Sequence, residues 1–160
     1  MPAGVVFGFL GPKGAGKTTA IHLLLGLVQP TQGQGWVIGF HIRKRAEEIR
    51  AHSGALLEFS GLYERMSAED NLDLYGRIYI RPAAERRTRT RELLEQLDLW
   101  ERRKGSGRHV ESGHETKTLA VARALFHRPP LVFLDEPTGG FDPVAAAALR
   151  TDLAGSRTKA

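Results

Sequence analysis

The chain has 160 residues, of which 41% are apolar, and it carries a formal net charge of +5. This length and apolar content are sufficient for one domain with a buried core. The absence of cysteine excludes disulfides, thiolate metal sites and cysteine nucleophiles. No apolar run approaches the ~18 residues that a membrane-spanning helix needs, and the N-terminus "MPAGVVFGFL" lacks the charge and cleavage site of a signal peptide. We therefore expect a cytoplasmic protein.

The apolar pattern predicts alternating strands and helices over the first sixty residues. The run at 5–10 is predicted to be a strand, and a helix follows a glycine-rich loop over 17–28. After a glycine-rich turn, the apolar "WVIGF" at 36–40 predicts a second strand, and the polar segment 43–51 predicts a helix. The short apolar run at 54–59 predicts a further strand.

The middle of the chain is predicted to be helical. Ser67 is followed three residues later by Asp70, which is similar to a capping box, and Pro82 stands at a position where a helix tolerates proline. A third helix is predicted to begin at Ser112, and the buried strand "LVFLDE" follows it. Alternating strands and helices predict an α/β fold with a parallel sheet, into which the helical block 62–128 is inserted.

A phosphate-binding pattern lies between the first predicted strand and the first predicted helix. It consists of Gly11, four further residues, and then Gly16, Lys17 and Thr18. Glycines let backbone N–H groups approach phosphate oxygens, and the positive end of the following helix faces the same anion. The lysine would reach the β- and γ-phosphates, and the threonine hydroxyl would hold Mg²⁺. Strand, glycine loop and helix together predict a P-loop.

Two carboxylates follow the last predicted strand. Asp135 at the end of a buried strand is suited to meet Mg²⁺, directly or through water, and Glu136 beside it is suited to polarise an attacking water. An apolar strand that ends in acidic residues is weak evidence alone, because many strands end at acidic turns. Together with the P-loop, it predicts a nucleoside triphosphatase site.

The positive charge is concentrated in the middle of the chain. Between Arg77 and Arg108 there are ten Lys or Arg residues against five Asp or Glu residues. This block could be a nucleic-acid face, but Leu93, Leu94 and Leu97 fall at helical spacing, and Trp100 is its main aromatic residue. A solvated amphipathic helix is the favoured interpretation.

These motifs, in this order, resemble the nucleotide-binding subunit of an ABC transporter, particularly the bacterial export type. "GFLGPKGAGKTT" resembles the P-loop of that family, and "LVFLDEPTGGFDP" resembles its Walker B strand, catalytic glutamate and D-loop. "GLYERMSAEDNLDLYGRIY" resembles the segment after its Q-loop, and "LAVARALFHRPP" the helix after its signature motif. The resemblance implies a P-loop ATPase fold, with ATP and Mg²⁺ as cofactors. It also implies two partners, a membrane permease and a second ATPase subunit in a head-to-tail dimer.

The resemblance also implies the site residues. Glu136 and Lys17 would be catalytic, and Thr18, Asp135 and Glu58 would bind the metal. The remaining implied residues share a role in nucleotide binding: Gly11, Pro12, Lys13, Gly14, Ala15, Gly16, Lys17, Thr18 and Thr19 in the P-loop, and Ser112 and Gly113 in the signature. Glu58 stands where the family has its Q-loop residue, and it could instead be an ordinary acid at a strand end.

The signature motif departs from the family pattern. Aligning its helix places the motif at Glu111 to Glu115, where Ser112 and Gly113 match, while His114 and Glu115 replace a glycine and a glutamine. A carboxylate here would repel the γ-phosphate of the opposite subunit. Alternatively, Glu115 completes a capping box with Ser112. Under either interpretation we expect an impaired signature.

The resemblance further implies an N-terminal antiparallel β-region and C-terminal strands, which this sequence does not contain. We expect the lost strand to leave a gap in the sheet between the P-loop strand and the Walker B strand, so that this chain alone does not hydrolyse ATP. Three alternatives to the transporter subunit therefore remain open. They are a truncated or decayed ATPase that binds nucleotide without hydrolysis, a soluble ABC protein acting on ribosomes or nucleic acid, and a P-loop kinase.

Overall fold

The computed structural model describes residues 6–79, 81–105 and 113–136. The described residues form two units, of which the first covers residues 6–50 and the second covers the described residues from 51 onwards. Each unit has its own buried residues, and each is described separately below.

Helix α1 of the first unit is Lys17–Leu24, which is shorter than the predicted helix over 17–28. The helix ends here because Gly26 adopts a φ of +65°, which most residues avoid. A Cβ at Gly26 would also collide with the Ala46 side chain. The backbone conformation and the close approach of Ala46 therefore both require glycine.

Two short strands follow where one strand over 36–40 was predicted. Strands β1, Trp36–Val37, and β2, Phe40–His41, pair antiparallel. The two residues between them have positive φ, +45° at Ile38 and +83° at Gly39, as in a tight hairpin turn. The prediction of one strand was wrong because a glycine at the fourth of its five residues reverses the chain. Helix α2, Ala46–Ala51, comes next and buries Ile49.

The prediction of a strand at 5–10 was also wrong for the residues that the structure describes. Residues 6–10 have no regular structure, and the side chains of Val6, Phe7, Phe9 and Leu10 are exposed. A strand forms only where a neighbouring strand satisfies its N–H and C=O groups. Within the described part of the chain, the two longer strands pair with each other instead.

The second unit contains a parallel pair of strands, as predicted. Strand β3, Ser53–Leu56, pairs with β4, Leu131–Leu134, in a register that places Leu56 opposite Leu134. Strand β3 is shorter than the predicted run over 54–59. The carboxyl ends of both strands therefore lie at the same edge of the sheet.

Three helices of the second unit pack around one apolar core. They are α3, Ala68–Ile78, α4, Ala83–Gln96, and α5, Gly113–Leu125, and a single 3₁₀ turn at Trp100–Arg102 follows α4. The residues buried in this core are Ala68, Leu72, Leu93, Leu94, Leu99, Leu119, Ala122 and Phe126. The helical block predicted between 62 and 128 lies in this unit, and its status as an inserted subdomain stays a prediction.

The predicted helix starts at Ser67 and Pro82 are confirmed. The Ser67 hydroxyl oxygen accepts a hydrogen bond from the Asp70 N–H at 3.0 Å and donates one to the Asp70 carboxylate at 2.7 Å. Pro82 directly precedes α4. The predicted start of the third helix at Ser112 lies outside the described residues, and α5 is described from Gly113.

Candidate nucleotide-binding site

The loop from Gly11 to Gly16 is exposed along its whole length. Its backbone folds through a turn in which the Ala15 N–H donates to the Pro12 carbonyl at 3.2 Å. Gly14 and Gly16 both have a φ of +82°, a conformation that costs a non-glycine residue about 1 kcal/mol or more. The two glycines are therefore needed for this backbone path.

The loop leads directly into the N-terminus of α1. Gly16 is the N-cap residue, and it supplies no side-chain cap because it has no side chain. The first N–H groups of a helix have no intrahelical acceptor, and the helix dipole adds partial positive charge at this end. A phosphate placed here would receive both contributions.

The Lys17 side chain folds back over the loop. Its Nζ donates to the Gly11 carbonyl at 2.9 Å and to the Pro12 carbonyl at 3.0 Å. The ammonium group is thus held at the loop itself. Of the next two predicted site residues, Thr18 is half-buried and Thr19 is exposed. Lys13, at the tip of the loop, is exposed as well.

The predicted carboxylates stand at the carboxyl ends of β3 and β4. Asp135 directly follows β4 and is only 9% exposed, and its N–H donates to the Leu56 carbonyl at the end of β3 at 2.9 Å. Glu136 is exposed and has a φ of +45°, which is unusual for a residue other than glycine. Glu58 is exposed two residues beyond β3. The parallel register therefore brings all three acids to one edge.

The proposed donors to Mg²⁺ are of the chemical kind that this ion prefers. Thr18 would supply a hydroxyl oxygen, and Asp135 and Glu58 would supply carboxylate oxygens. Among the described residues, no group of three or more His, Asp or Glu side chains lies together as a metal site. Mg²⁺ in nucleotide sites usually takes only one or two carboxylates, with phosphates and water completing its shell, so the residues present fit the ion.

The structure gives Glu115 a partner that neither sequence interpretation included. Its carboxylate forms an ion pair with Arg102, and its side chain is 12% exposed. Ser112 lies outside the described residues, as do residues 137–143 of the predicted D-loop, and Gly113 is described only as the first residue of α5. No local pattern links residues 102 and 115, which are 13 positions apart, so sequence reasoning missed this pair.

Part of the arginine-rich block, residues 83–96, forms the helix that was predicted, and residues 106–108 of the block lie outside the described residues. Helix α4 buries Leu93 and Leu94, while a surface pocket of about 370 Å³ lies between its arginines and the end of α5. The four guanidinium groups that line this pocket all bind protein acceptors, since Arg81 also pairs with Glu85 and Arg128 with Glu92. Arg86 pairs with Asp73 at 2.7 Å, and Arg89 donates to the Leu125 and Phe126 carbonyls at 2.9 and 3.1 Å. These two arginines therefore hold the helices of the second unit together.

An exposed glycine loop that enters a helix, with a lysine folded over it, defines a P-loop nucleotide-binding protein. The acidic ends of two parallel strands are in keeping with the same class. Residues 1–139 match the family described as "ABC transporter", and the chain therefore belongs to that family.

Curated relatives support this membership. The chain is 37% identical over 147 residues to the bacitracin transport ATP-binding protein BcrA of Bacillus licheniformis, covering 92% of this chain and 47% of the relative. It is 40% identical over 142 residues to the Nod factor export ATP-binding protein I of Cupriavidus metallidurans, covering 89% of this chain and 46% of that protein. The chain thus spans about half the length of these relatives.

Solved structures show the same fold. The ATP-binding cassette MJ0796, in a dimeric post-hydrolysis state bound to ADP and Pi, matches with a TM-score of 0.78 and 27% identity, covering 89% of this chain and 65% of that one. An ATP-binding subunit of an ABC transporter matches with a TM-score of 0.78 and 30% identity, covering 94% and 62% of the two chains. The fold is therefore the α/β P-loop fold of ABC cassettes.

None of the helices in the described part of the chain combines the length and the apolar character that a membrane span requires.

Proposed function

We propose that this chain is the ATP-binding part of an ABC exporter, which couples ATP hydrolysis to the export of a substrate through a membrane permease. The observation that carries the proposal is the open glycine loop, with its left-handed Gly14 and Gly16 and with Lys17 folded over it. The proposed location is the inner face of the cell membrane, where the chain would bind the permease.

In this proposal the triphosphate binds along the P-loop. Backbone N–H groups of Lys13, Gly14 and Gly16 and the N-terminus of α1 would face its oxygens, while the Lys17 ammonium exchanges the carbonyls of Gly11 and Pro12 for phosphate. The signature residues Ser112 and Gly113 would act on the nucleotide of a second ATPase subunit, in a head-to-tail dimer. One solved relative is described as dimeric, which supports this arrangement.

In this proposal, the acidic residues at the strand ends bind the metal ion and activate the water. Thr18, Asp135 and Glu58 would hold Mg²⁺, which, when bound, neutralises phosphate charge. Glu136 would accept a proton from the attacking water, and its exposed carboxylate is available for that role. Asp135 is almost completely buried, and its N–H donates to the Leu56 carbonyl. Both features would limit the directions that its carboxylate can take.

The names of the relatives favour export. One relative is named for bacitracin transport and another for Nod factor export. These substrates belong to those proteins, and the proposal for this chain extends only to the export type.

Replacing Lys17 by Ala tests nucleotide binding. We expect the affinity for Mg-ATP to fall tenfold or more, because a charge-assisted hydrogen bond to phosphate contributes about 1.5–3 kcal/mol. Calorimetric titration with ATP would measure this loss. Lys44→Ala is the matched control, because Lys44 is exposed and lies outside the P-loop. Equal affinities in the two variants would contradict the proposal.

A second candidate function is nucleotide binding without hydrolysis. The position of Glu115 favours it, because a carboxylate that is 12% exposed stands where the family signature has a neutral glutamine. The two candidates share the binding step and differ in turnover, which is tested separately below.

A further inference from the structure

The segment that joins β3 to α3 is attached to two residues of α3, Asn71 and Tyr75. These residues are four positions apart and therefore lie on the same face of the helix, one turn from each other. Glu58, the proposed Mg²⁺ ligand, lies in this segment. The hydrogen bonds made by Asn71 and Tyr75 therefore affect the position of Glu58.

Asn71 secures the far end of the segment. Its side chain, 2% exposed, donates to the Tyr63 and Ser67 carbonyls at 3.1 and 3.0 Å and accepts from the Tyr63 N–H at 2.8 Å. These bonds fix the turn at residues 63–67 directly against the start of α3.

Tyr75 secures the middle of the segment. Its hydroxyl donates to the Gly61 carbonyl at 2.8 Å and accepts from Arg123 Nη1 at 2.9 Å. The same guanidinium lies over the Tyr75 ring, 5.0 Å from its centroid. A charged donor to the hydroxyl strengthens the bond that the hydroxyl donates. The Tyr75–Arg123 pair therefore holds the Gly61 carbonyl.

Arg123 connects this contact to the sheet. Its Nη2 donates to the Ala55 carbonyl of β3 at 3.2 Å, so that α3, α5 and β3 all meet at one guanidinium. Gly61 has a φ of +62°, which favours glycine, and a Cβ there would meet the guanidinium of Arg123, the mobile end of that side chain. The backbone conformation at 61 therefore favours glycine.

Residues 57–60 therefore lie between two residues whose backbone carbonyls are held by hydrogen bonds. At one end, the Leu56 carbonyl accepts from the Asp135 N–H, and at the other the Gly61 carbonyl accepts from Tyr75. A segment this short, with both ends fixed, has few conformations available. Glu58 lies inside it, at the edge of the sheet that carries Asp135.

We infer that Tyr75, oriented by Arg123, is a positioning residue that holds the segment 57–61 so that Glu58 stays beside the ends of β3 and β4. The inference rests on the proposed function only in the role it gives Glu58 toward Mg²⁺. The hydrogen bonds that hold the segment are independent of nucleotide.

Hydrogen exchange measured by mass spectrometry on the nucleotide-free chain tests the attachment. Tyr75→Phe removes the hydroxyl and keeps the ring, and Tyr63→Phe is the matched control because the Tyr63 ring is 55% exposed. We expect amides of residues 57–62 to exchange about fivefold to tenfold faster in Tyr75→Phe, as the loss of one hydrogen bond implies. Their exchange rates should be unchanged in Tyr63→Phe.

Two outcomes would overturn the inference. The first is equal exchange of residues 57–62 in both variants. The second is an equal acceleration across α3 and α5 in Tyr75→Phe, which would mean that the hydroxyl stabilises the helices in general rather than the segment.

Calorimetry with ATP, in the presence and absence of Mg²⁺, tests the consequence for the site. In Tyr75→Phe we expect a weaker affinity for Mg-ATP and an unchanged affinity for ATP without Mg²⁺, while Tyr63→Phe matches the wild-type chain in both. An equal loss of ATP affinity with and without Mg²⁺, or no loss in either condition, would show that Tyr75 does not position Glu58 for Mg²⁺. Failure of the wild-type chain to bind nucleotide would refute the proposed function. The exchange experiment would still show whether Tyr75 holds the segment 57–61.

Discussion

Gly54 in β3 lies directly against the end of α5. A Cβ built at this position would overlap the Ala124 carbonyl oxygen and would lie 3.1 Å from the Pro129 ring. The obstacle is backbone, which cannot move as the end of a flexible side chain can. Glycine at 54 thus permits the contact that sets the distance between α5 and the sheet.

We expect Gly54→Ala to lower the free energy of unfolding by about 1–3 kcal/mol, because overpacking forces the backbone to shift. Urea unfolding followed by circular dichroism would measure the change in midpoint. Gly8→Ala is the matched control, since a Cβ at Gly8 would meet nothing within 4 Å, and its effect should stay within about 0.5 kcal/mol. A similar midpoint for both variants would contradict this account of the packing.

At the scale of the elements, the turn from α5 to β4 contains a half-buried imidazole. The His127 ring stacks on the Tyr79 ring at the end of α3, with the centroids 4.0 Å apart and the planes 10° from parallel. Desolvation lowers the pKa of His127 below its ordinary value of 6.5, an interaction with the Ser53 backbone partly opposes this shift, and the charges of Arg81 and His52 add to it. The neutral ring is therefore the form that the fold favours.

The sign of the pH dependence follows from this shift. Because the pKa of His127 is lower in the folded chain than in the unfolded chain, its contribution to stability is present above about pH 6.5 and is lost as the pH falls toward the folded pKa. We expect the melting temperature to fall between pH 7.5 and pH 5, and to fall less in His127→Phe, which keeps a stacked ring. His22→Phe on α1 is the control. An identical pH dependence in all three chains would show that His127 does not cause it.

At the scale of the whole molecule, the proposed functional groups are divided between the two units. The P-loop with Lys17 and Thr18 belongs to the first unit, and Glu58, Asp135 and Glu136 belong to the second. Binding of phosphate needs only the loop and α1, which are contiguous in sequence. Hydrolysis needs the P-loop residues and the acidic residues to be placed together. A misplacement of about 1 Å costs roughly a hundredfold in rate.

We therefore expect the 160-residue chain to bind ATP and to hydrolyse it at the background rate, with no further decrease in Glu136→Gln. Residues 6–10, directly before the P-loop, form no strand. A coupled assay of phosphate release, run beside calorimetric binding, would separate the two steps. Steady turnover that is abolished by Glu136→Gln would contradict this expectation and favour the exporter proposal for the chain by itself.

Features that depend on neighbouring residues were determined by the sequence alone. The P-loop path follows from the φ values open to Gly14 and Gly16, and the start of α3 follows from the Ser67 and Asp70 hydrogen bonds. The start of α4 at Pro82 has the same local origin. In each case the determining groups lie within a few residues of one another, so a short pattern contains the whole physical cause.

Only the tertiary structure decided the features that need a distant partner. Residues 6–10 have the composition of a strand, but no strand of the described part of the chain pairs with them. The ion pair of Glu115 with Arg102 and the contact of Tyr75 with Arg123 join residues 13 and 48 positions apart. A strand ladder, an ion pair or a hydroxyl contact forms only when the fold brings both partners together, and no local pattern contains that information.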